Sequence, residues 1–252
     1  MDFMEYRDPI ELFIDSESSL DYGIKIYSSN ILSSPSRDIE FIEVEGRKES
    51  NLTVDNGYED FILTLECVLV NETENLTMNE VAMKAKKFLL SCTNSKIMTS
   101  EDINFYLVGT YTGDVDITEA IENFGTFQAQ FRCKPYRYSN TSTTIDITEQ
   151  NTIINNAYYD TDPVIVITGN GDITVKINNQ KLILKDVEDT ITINCQTMNA
   201  EKISSLNKLI NQNHKMYSDF PVIESGNNTI SWTLGTQSSL TKINISFREV
   251  II

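Results

Sequence analysis

The sequence predicts a mainly β protein of two domains: an N-terminal barrel-like or split β-sandwich domain with one packed α-helix (1–139), then a C-terminal β-sandwich (140–252). Three observations carry this. Phe127, Ala129, Phe131 and Cys133 alternate with Thr126, Gln128, Gln130 and Arg132, the two-residue period of a half-buried strand. Short apolar runs bounded by Gly, Asn, Asp and Pro recur along the whole chain. The polar run 139–144 (Ser-Asn-Thr-Ser-Thr-Thr) separates two strand-rich segments, and at 252 residues each half is long enough to bury its own core.

In order, 1–22 is acidic and irregular apart from 10–14, and 23–27 opens the first clear strand. Strands over 39–44 and 52–54 flank the charged turn 46–51, and Asp55-Asn56-Gly57 signals a further turn. The longest strand of this half is 61–70, with Leu63, Leu65, Cys67 and Leu69 on its inner face. Thr77 and Glu80 have capping-box spacing, and Val81, Ala85, Phe88, Leu89 and Cys92 recur at helical intervals, so one helix is predicted here. Lys84, Lys86 and Lys87 form its solvated face. Strands follow at 96–99, 104–111 and 114–121, then the alternating strand above, which Pro135 and the polar run should end.

The second half opens with strands at 144–148 and 152–154. Gly169-Asn170-Gly171 and Asn178-Asn179 split the run 162–184 into a meander of hairpins, continued by 190–195. Residues 199–214 admit either a short helix or strand and loop. The final strands are 220–223, 226–235 and 240–252.

The formal net charge is −17, and 25 acidic against 12 basic side chains fall within 1–140. Such a surface opposes tight binding to phosphate backbones, but suits a wall past which DNA slides. The start of the chain has acids and a proline where a signal peptide needs a basic, then apolar stretch, and no run has the length of a membrane span, so synthesis and retention in the cytoplasm are expected. Cys67, Cys92, Cys133 and Cys195 lack Cys-x-x-Cys spacing or an adjacent histidine and read as reduced core thiols, with no metal or cofactor expected.

A strand ending in Phe131-x-Cys133-x-Pro135-Tyr136-x-Tyr138, midway along a chain of this length, resembles the distal tail (Dit) proteins of long-tailed, siphovirus-like bacteriophages. Further markers follow the same order: Gly46-Arg47 with the strand pair after it, the single helix, and Phe220-Pro221 followed by Gly226-Asn227. One departure is Lys48-Glu49-Ser50 after Gly46-Arg47, where many relatives place Asn or Asp followed by Gly. The resemblance implies a galectin-like second domain. It implies six copies in a ring built by the first domains, joining the tail tube protein to a tail-associated lysin or tail-fibre hub protein at the tip of the virion tail. DNA passes through the lumen without specific binding, and no membrane or cofactor takes part.

An enzyme would need an assembled acid, base or nucleophile. His214 is the single histidine, in a polar run, and no Gly-x-Ser-x-Gly motif is present. Asp114 with Asp116, or Glu119 with Glu122, have the spacing of paired carboxylates, which an acidic chain also supplies by chance. The alternative is a carbohydrate-binding protein that stacks a host glycan on Trp232. That residue alternates with Ile230 and Leu234, which points to the core, and the lectin signature His-x-Asn-x-Arg is missing at His214.

Overall fold

The computed structural model describes residues 9–31, 33–43, 51–71, 76–114, 118–121, 124–204 and 206–252. The chain divides into two compact units, Met1–Arg137 with Ile252, and Tyr138–Ile251. Each encloses its own apolar cluster.

The first unit contains β1 (Leu12–Ile14), β2 (Glu17–Ser18), a 3-10 turn (Ser19–Tyr22), β3 (Ile24–Ser29), β4 (Arg37–Glu43), β5 (Asn51–Tyr58), β6 (Phe61–Val70), α1 (Met78–Ser91), β7 (Ser95–Thr99), β8 (Asp102–Tyr111), β9 (Thr118–Ile121) and β10 (Phe124–Ser139). The main sheet runs β2-β1-β7-β8-β10-β6-β3. Ile10 then exchanges both backbone hydrogen bonds with Ile26 of β3, at 2.9 and 3.2 Å, so the segment leading into β1 reaches the far edge and the sheet closes on itself. That is the predicted barrel-like form, and closure leaves fewer unpaired edges.

β10 is central. Phe127, Ala129, Phe131 and Cys133 are buried on its inner face, opposite β6, whose Leu63, Leu65, Cys67 and Leu69 are buried too. The two-residue period places these eight side chains in one core because the register pairs the same faces, Phe131 with Leu63 and Ala129 with Leu65. Helix α1 covers that core with Val81, Ala85, Phe88 and Leu89, and Phe88 stacks on Tyr22 at 4.6 Å.

The Thr77–Glu80 capping box is formed: the Glu80 amide donates to the Thr77 hydroxyl, and the Thr77 amide donates to the Glu80 carboxylate. The Thr77 amide, then its hydroxyl, holds the Glu80 carboxyl below its usual range. A depressed carboxyl pKa gives stability that is present above the unfolded value of about 4.3 and is lost as pH falls through the folded one. Replacing Thr77 with alanine is expected to cost about 1 kcal/mol at neutral pH. In urea titrations the gap between wild type and variant should narrow below about pH 4.3 by the share that the Thr77 hydroxyl gives to the Glu80 carboxylate, since alanine keeps the amide bond; a gap unchanged at acid pH would refute the hydroxyl–carboxylate contact.

The structure departs from the sequence expectations at several points. Asp55-Asn56-Gly57 is no turn but a bulge within β5, where the Asp55 carboxylate accepts the Gly57 amide and Gly57 takes φ +97°; the register with β4 shifts there. Pro135 does not end β10. The ladder to β6 stops at Cys133–Phe61, so the proline lies past the last rung on that side, and the strand continues to a buried Ser139. Of the expected strand 114–121, β9 keeps Thr118–Ile121, and 115–117 lie outside the described residues.

The second unit contains β11 (Thr143–Ile147), β12 (Thr152–Asn156), β13 (Val164–Ile177), β14 (Gln180–Val187), β15 (Thr190–Asn194), β16 (Asn199–Ile203), β17 (Leu209–Asn211), a 3-10 turn (Asn213–Lys215), β18 (Gly226–Leu234), β19 (Ser239–Phe247) and β20 (Val250–Ile251). Here Gly169-Asn170-Gly171 is not a hairpin turn. β13 runs through it for 14 residues and serves both sheets: Val164–Thr168 pair with β15 and β19, and Ile173–Ile177 pair with β14 and β18. The hairpin at Asn178-Asn179 is present, joining Ile177 to Gln180 with Asn178 at φ +52°.

The described residues of 199–214 hold the β16–β17 hairpin and the start of the 3-10 turn, and no α-helix is found among them. Residues 220–223 make one bridge, Ile223 with Thr161, instead of a strand. The Gln180 side chain takes the place of a ladder there, accepting from the Val222 amide and donating to its carbonyl.

Candidate functional site

The predicted motif residues fall into two structural groups, one in each unit. Cys133 is fully buried in β10. Its sulfur packs against Gly109 of β8 so closely that a methyl added there would lie 2.8 Å from it. Tyr136 meets Tyr58 of β5 edge-on at 6.2 Å, and Arg137 reaches Asp102 of β8 at 3.3 Å with both side chains largely covered. Pro135 and Tyr138 are half-buried. Together with the Arg132–Asp60 pair at 2.9 Å, these residues tie the end of β10 to β5, β8 and the approach to β6. Gly46 and Arg47, the other motif of this half, lie outside the described residues.

In the second unit Phe220 packs against the core and Pro221 is buried. Gly226 opens β18 at φ +90°, and the Asn227 side chain accepts from Asn155 of β12. The residue that organises this stretch is the next one, Asn228, which is fully buried. Its amide nitrogen donates to the carbonyls of Glu224 and Gly226, and its oxygen accepts from the Glu224 amide and from Asn178 of the β13–β14 hairpin. Asn228 therefore closes the 224–228 turn and links it to that hairpin. The doubled asparagine after Gly226 was the available signal in the sequence, and only burial tells which of the two is structural.

Neither group assembles chemistry. His214 is exposed on the 3-10 turn after β17. Asp114 is exposed in a shallow hollow with Gly113, Gln128 and Gln130; Asp116 and Glu122 lie outside the described residues, and Glu119 is in β9. Among the described residues, no three His, Cys, Asp or Glu side chains converge as a metal would require. Trp232 packs against the second core, and its backbone is clasped by the Gln150 amide through bonds of 2.9 and 3.0 Å. It does not stand out as a free stacking platform.

The four thiols are free and buried. Burial pushes Cys67, Cys133 and Cys195 up to about 12, and Cys92 up to about 11. At neutral pH almost no thiolate is present, and the thiolate is the reactive form. A disulfide-exchange dye is expected to titrate none of the four within minutes in the native protein and all four in denaturant. Rapid native reaction of even one thiol would contradict its placement in the core.

No helix among the described residues is long and apolar enough to cross a membrane. No protein-family model matches the chain, and no curated protein sequence does. Solved structures do. The Dit (gp 19.1) protein of phage SPP1, described as a paradigm of the hub adsorption apparatus in phages infecting Gram-positive bacteria, superposes with a TM-score of 0.78 at 14% identity, covering 97% of this chain and 100% of that one. A chain of the phage P2 baseplate in its activated conformation with calcium gives a TM-score of 0.53 at 13% identity, covering 95% and 98%. The chain has a Dit-like fold.

Proposed function

We propose that this chain is a structural component of a phage tail tip. Six copies form a ring through their N-terminal units, joining the tail tube protein to the host-adsorption apparatus, whose hub is a tail-associated lysin or tail-fibre protein. DNA passes through the lumen. What carries this reading is the end-to-end likeness to SPP1 Dit, in which neither chain has a large segment left over. Chemistry adds support. With 17 net negative charges, the protein repels a phosphate backbone instead of gripping it, which suits passage without adhesion. The role requires no turnover and no cofactor, and the described motif residues serve packing.

The N-terminal and C-terminal units are proposed as separately folding domains meeting near residue 139, with the second galectin-like. The protein is made in the host cytoplasm and resides in the virion. The experiment is light scattering with negative-stain imaging of the purified full chain. A particle of six times the chain mass with a central hole is expected; a monomer at every concentration tested would overturn the ring.

A further inference from the structure

On helix α1 the positions 83, 86, 87 and 90 are spaced i, i+3, i+4 and i+7, and so line one face. That face points to solvent: Met83 is 70% and Leu90 64% exposed, with Lys86 and Lys87 exposed between them and Lys84 beside them. The opposite face, Val81, Ala85, Phe88 and Leu89, already supplies the burial that the fold requires. Two large apolar side chains set among three lysines therefore lie outside the buried core, and they sit in the half of the chain with an excess of 13 acidic side chains.

The β4–β5 hairpin has the complementary character. It forms a two-stranded sheet of its own, and Asp38, Glu40 and Ile42 share one face of β4 by the two-residue period. Ile42 and Glu40 are exposed there, and Phe41 on the reverse face is 63% exposed.

We propose that the solvent face of α1 is a contact surface between copies of this chain, and that it receives the acidic, apolar β4–β5 hairpin of a neighbouring copy. The inference rests on the ring reading above and specifies its contact. Lysine facing lysine, or carboxylate facing carboxylate, would repel, so neither patch pairs with itself; each must meet the other, which is the head-to-tail arrangement that closes rings. Met83 and Leu90 would lose water against Ile42, and the lysines would meet Asp38 and Glu40. A nucleic acid is the poorer occupant, because a phosphate backbone offers nothing to two exposed apolar side chains and the chain's net charge opposes it.

The test uses two full-length variants, Lys84→Glu/Lys86→Glu/Lys87→Glu on the helix and Asp38→Lys/Glu40→Lys on the hairpin, with circular dichroism to verify folding. In light scattering each variant alone should need at least about tenfold more protein than wild type to assemble. An equimolar mixture should recover assembly, because alternating copies restore opposite charges at every contact; misfolded variants could not do this. If wild type assembles and the helix variant does so equally well, or the mixture does not recover, the contact is overturned while the ring stands. A wild type that never assembles removes the ring reading and this contact with it. If a DNA duplex binds wild type but not the helix variant, and assembly is unchanged, the face is a nucleic-acid site and the proposal is wrong.

Discussion

Replacing Phe131 with alanine is expected to remove about 3–5 kcal/mol from the stability of the N-terminal unit. The ring is fully buried in the middle of β10, paired in register with Leu63 and edge-on to Tyr111 at 5.2 Å. Its loss removes transfer energy and leaves a cavity that a closed sheet, held by ladders on both sides, collapses into poorly. The measurement is urea unfolding followed by two probes. Trp232 is the single tryptophan and lies in the C-terminal unit, so its emission reports that unit, whereas far-ultraviolet circular dichroism reports both. The variant should show an early dichroism transition with the emission midpoint nearly unmoved. A loss below about 1 kcal/mol would mean that the surrounding core closes over the gap.

Gly169→Ala is expected to act on the other unit with comparable force. A β-carbon there would lie 2.3 Å from the Ser239 carbonyl oxygen and 3.1 Å from the Leu240 α-carbon. Both are backbone atoms of β19, at the point where its register with β13 shifts, so no side-chain rotation relieves the clash. Either β13 or β19 must move, at a cost of about 3 kcal/mol, the upper end of what overpacking usually costs. The Trp232 emission midpoint should now fall and the thiol of Cys195 become accessible. An unshifted emission midpoint would refute the close approach of β13 and β19.

The elements that the sequence identified well are those whose pattern is fixed by burial on one side. β6 matches its expected bounds of 61–70, and α1 lies where the capping box and the helical spacing place it, since one inner face decides the period in both. The misread stretches share a different cause. Asp55-Asn56-Gly57 and Gly169-Asn170-Gly171 carry the local chemistry of a reversal, but that chemistry suits a bulge equally, and whether the chain turns back depends on strands far away in sequence. Residues 199–214 gave no clear period because Ile203, Leu206, Leu209 and Ile210 are all exposed in the β16–β17 hairpin, so burial had not shaped their spacing. Of the motif residues, the sequence located the β10 group as an element end, but not its clasp of Arg137 on Asp102 or Tyr136 on Tyr58, which requires β5 and β8 to be in place. The proposed contact surface between copies leaves still less trace, because its complement lies on a different part of the same sequence.

The double use of β13 also governs when the second unit can form during translation. Its first half depends on β19 and its second on β18, and β11 and β12 likewise wait for those two strands, which are among the last to leave the ribosome. Until residue 247 has emerged, β13 presents alternating isoleucine and valine with two ladders unfilled, while the first unit's sheet already has its β6–β10 and β7–β8 pairings available. The nascent chain is therefore most prone to adhere to other chains late in synthesis, between the completion of β13 and the arrival of β19, and that interval is where a chaperone would have the most to protect.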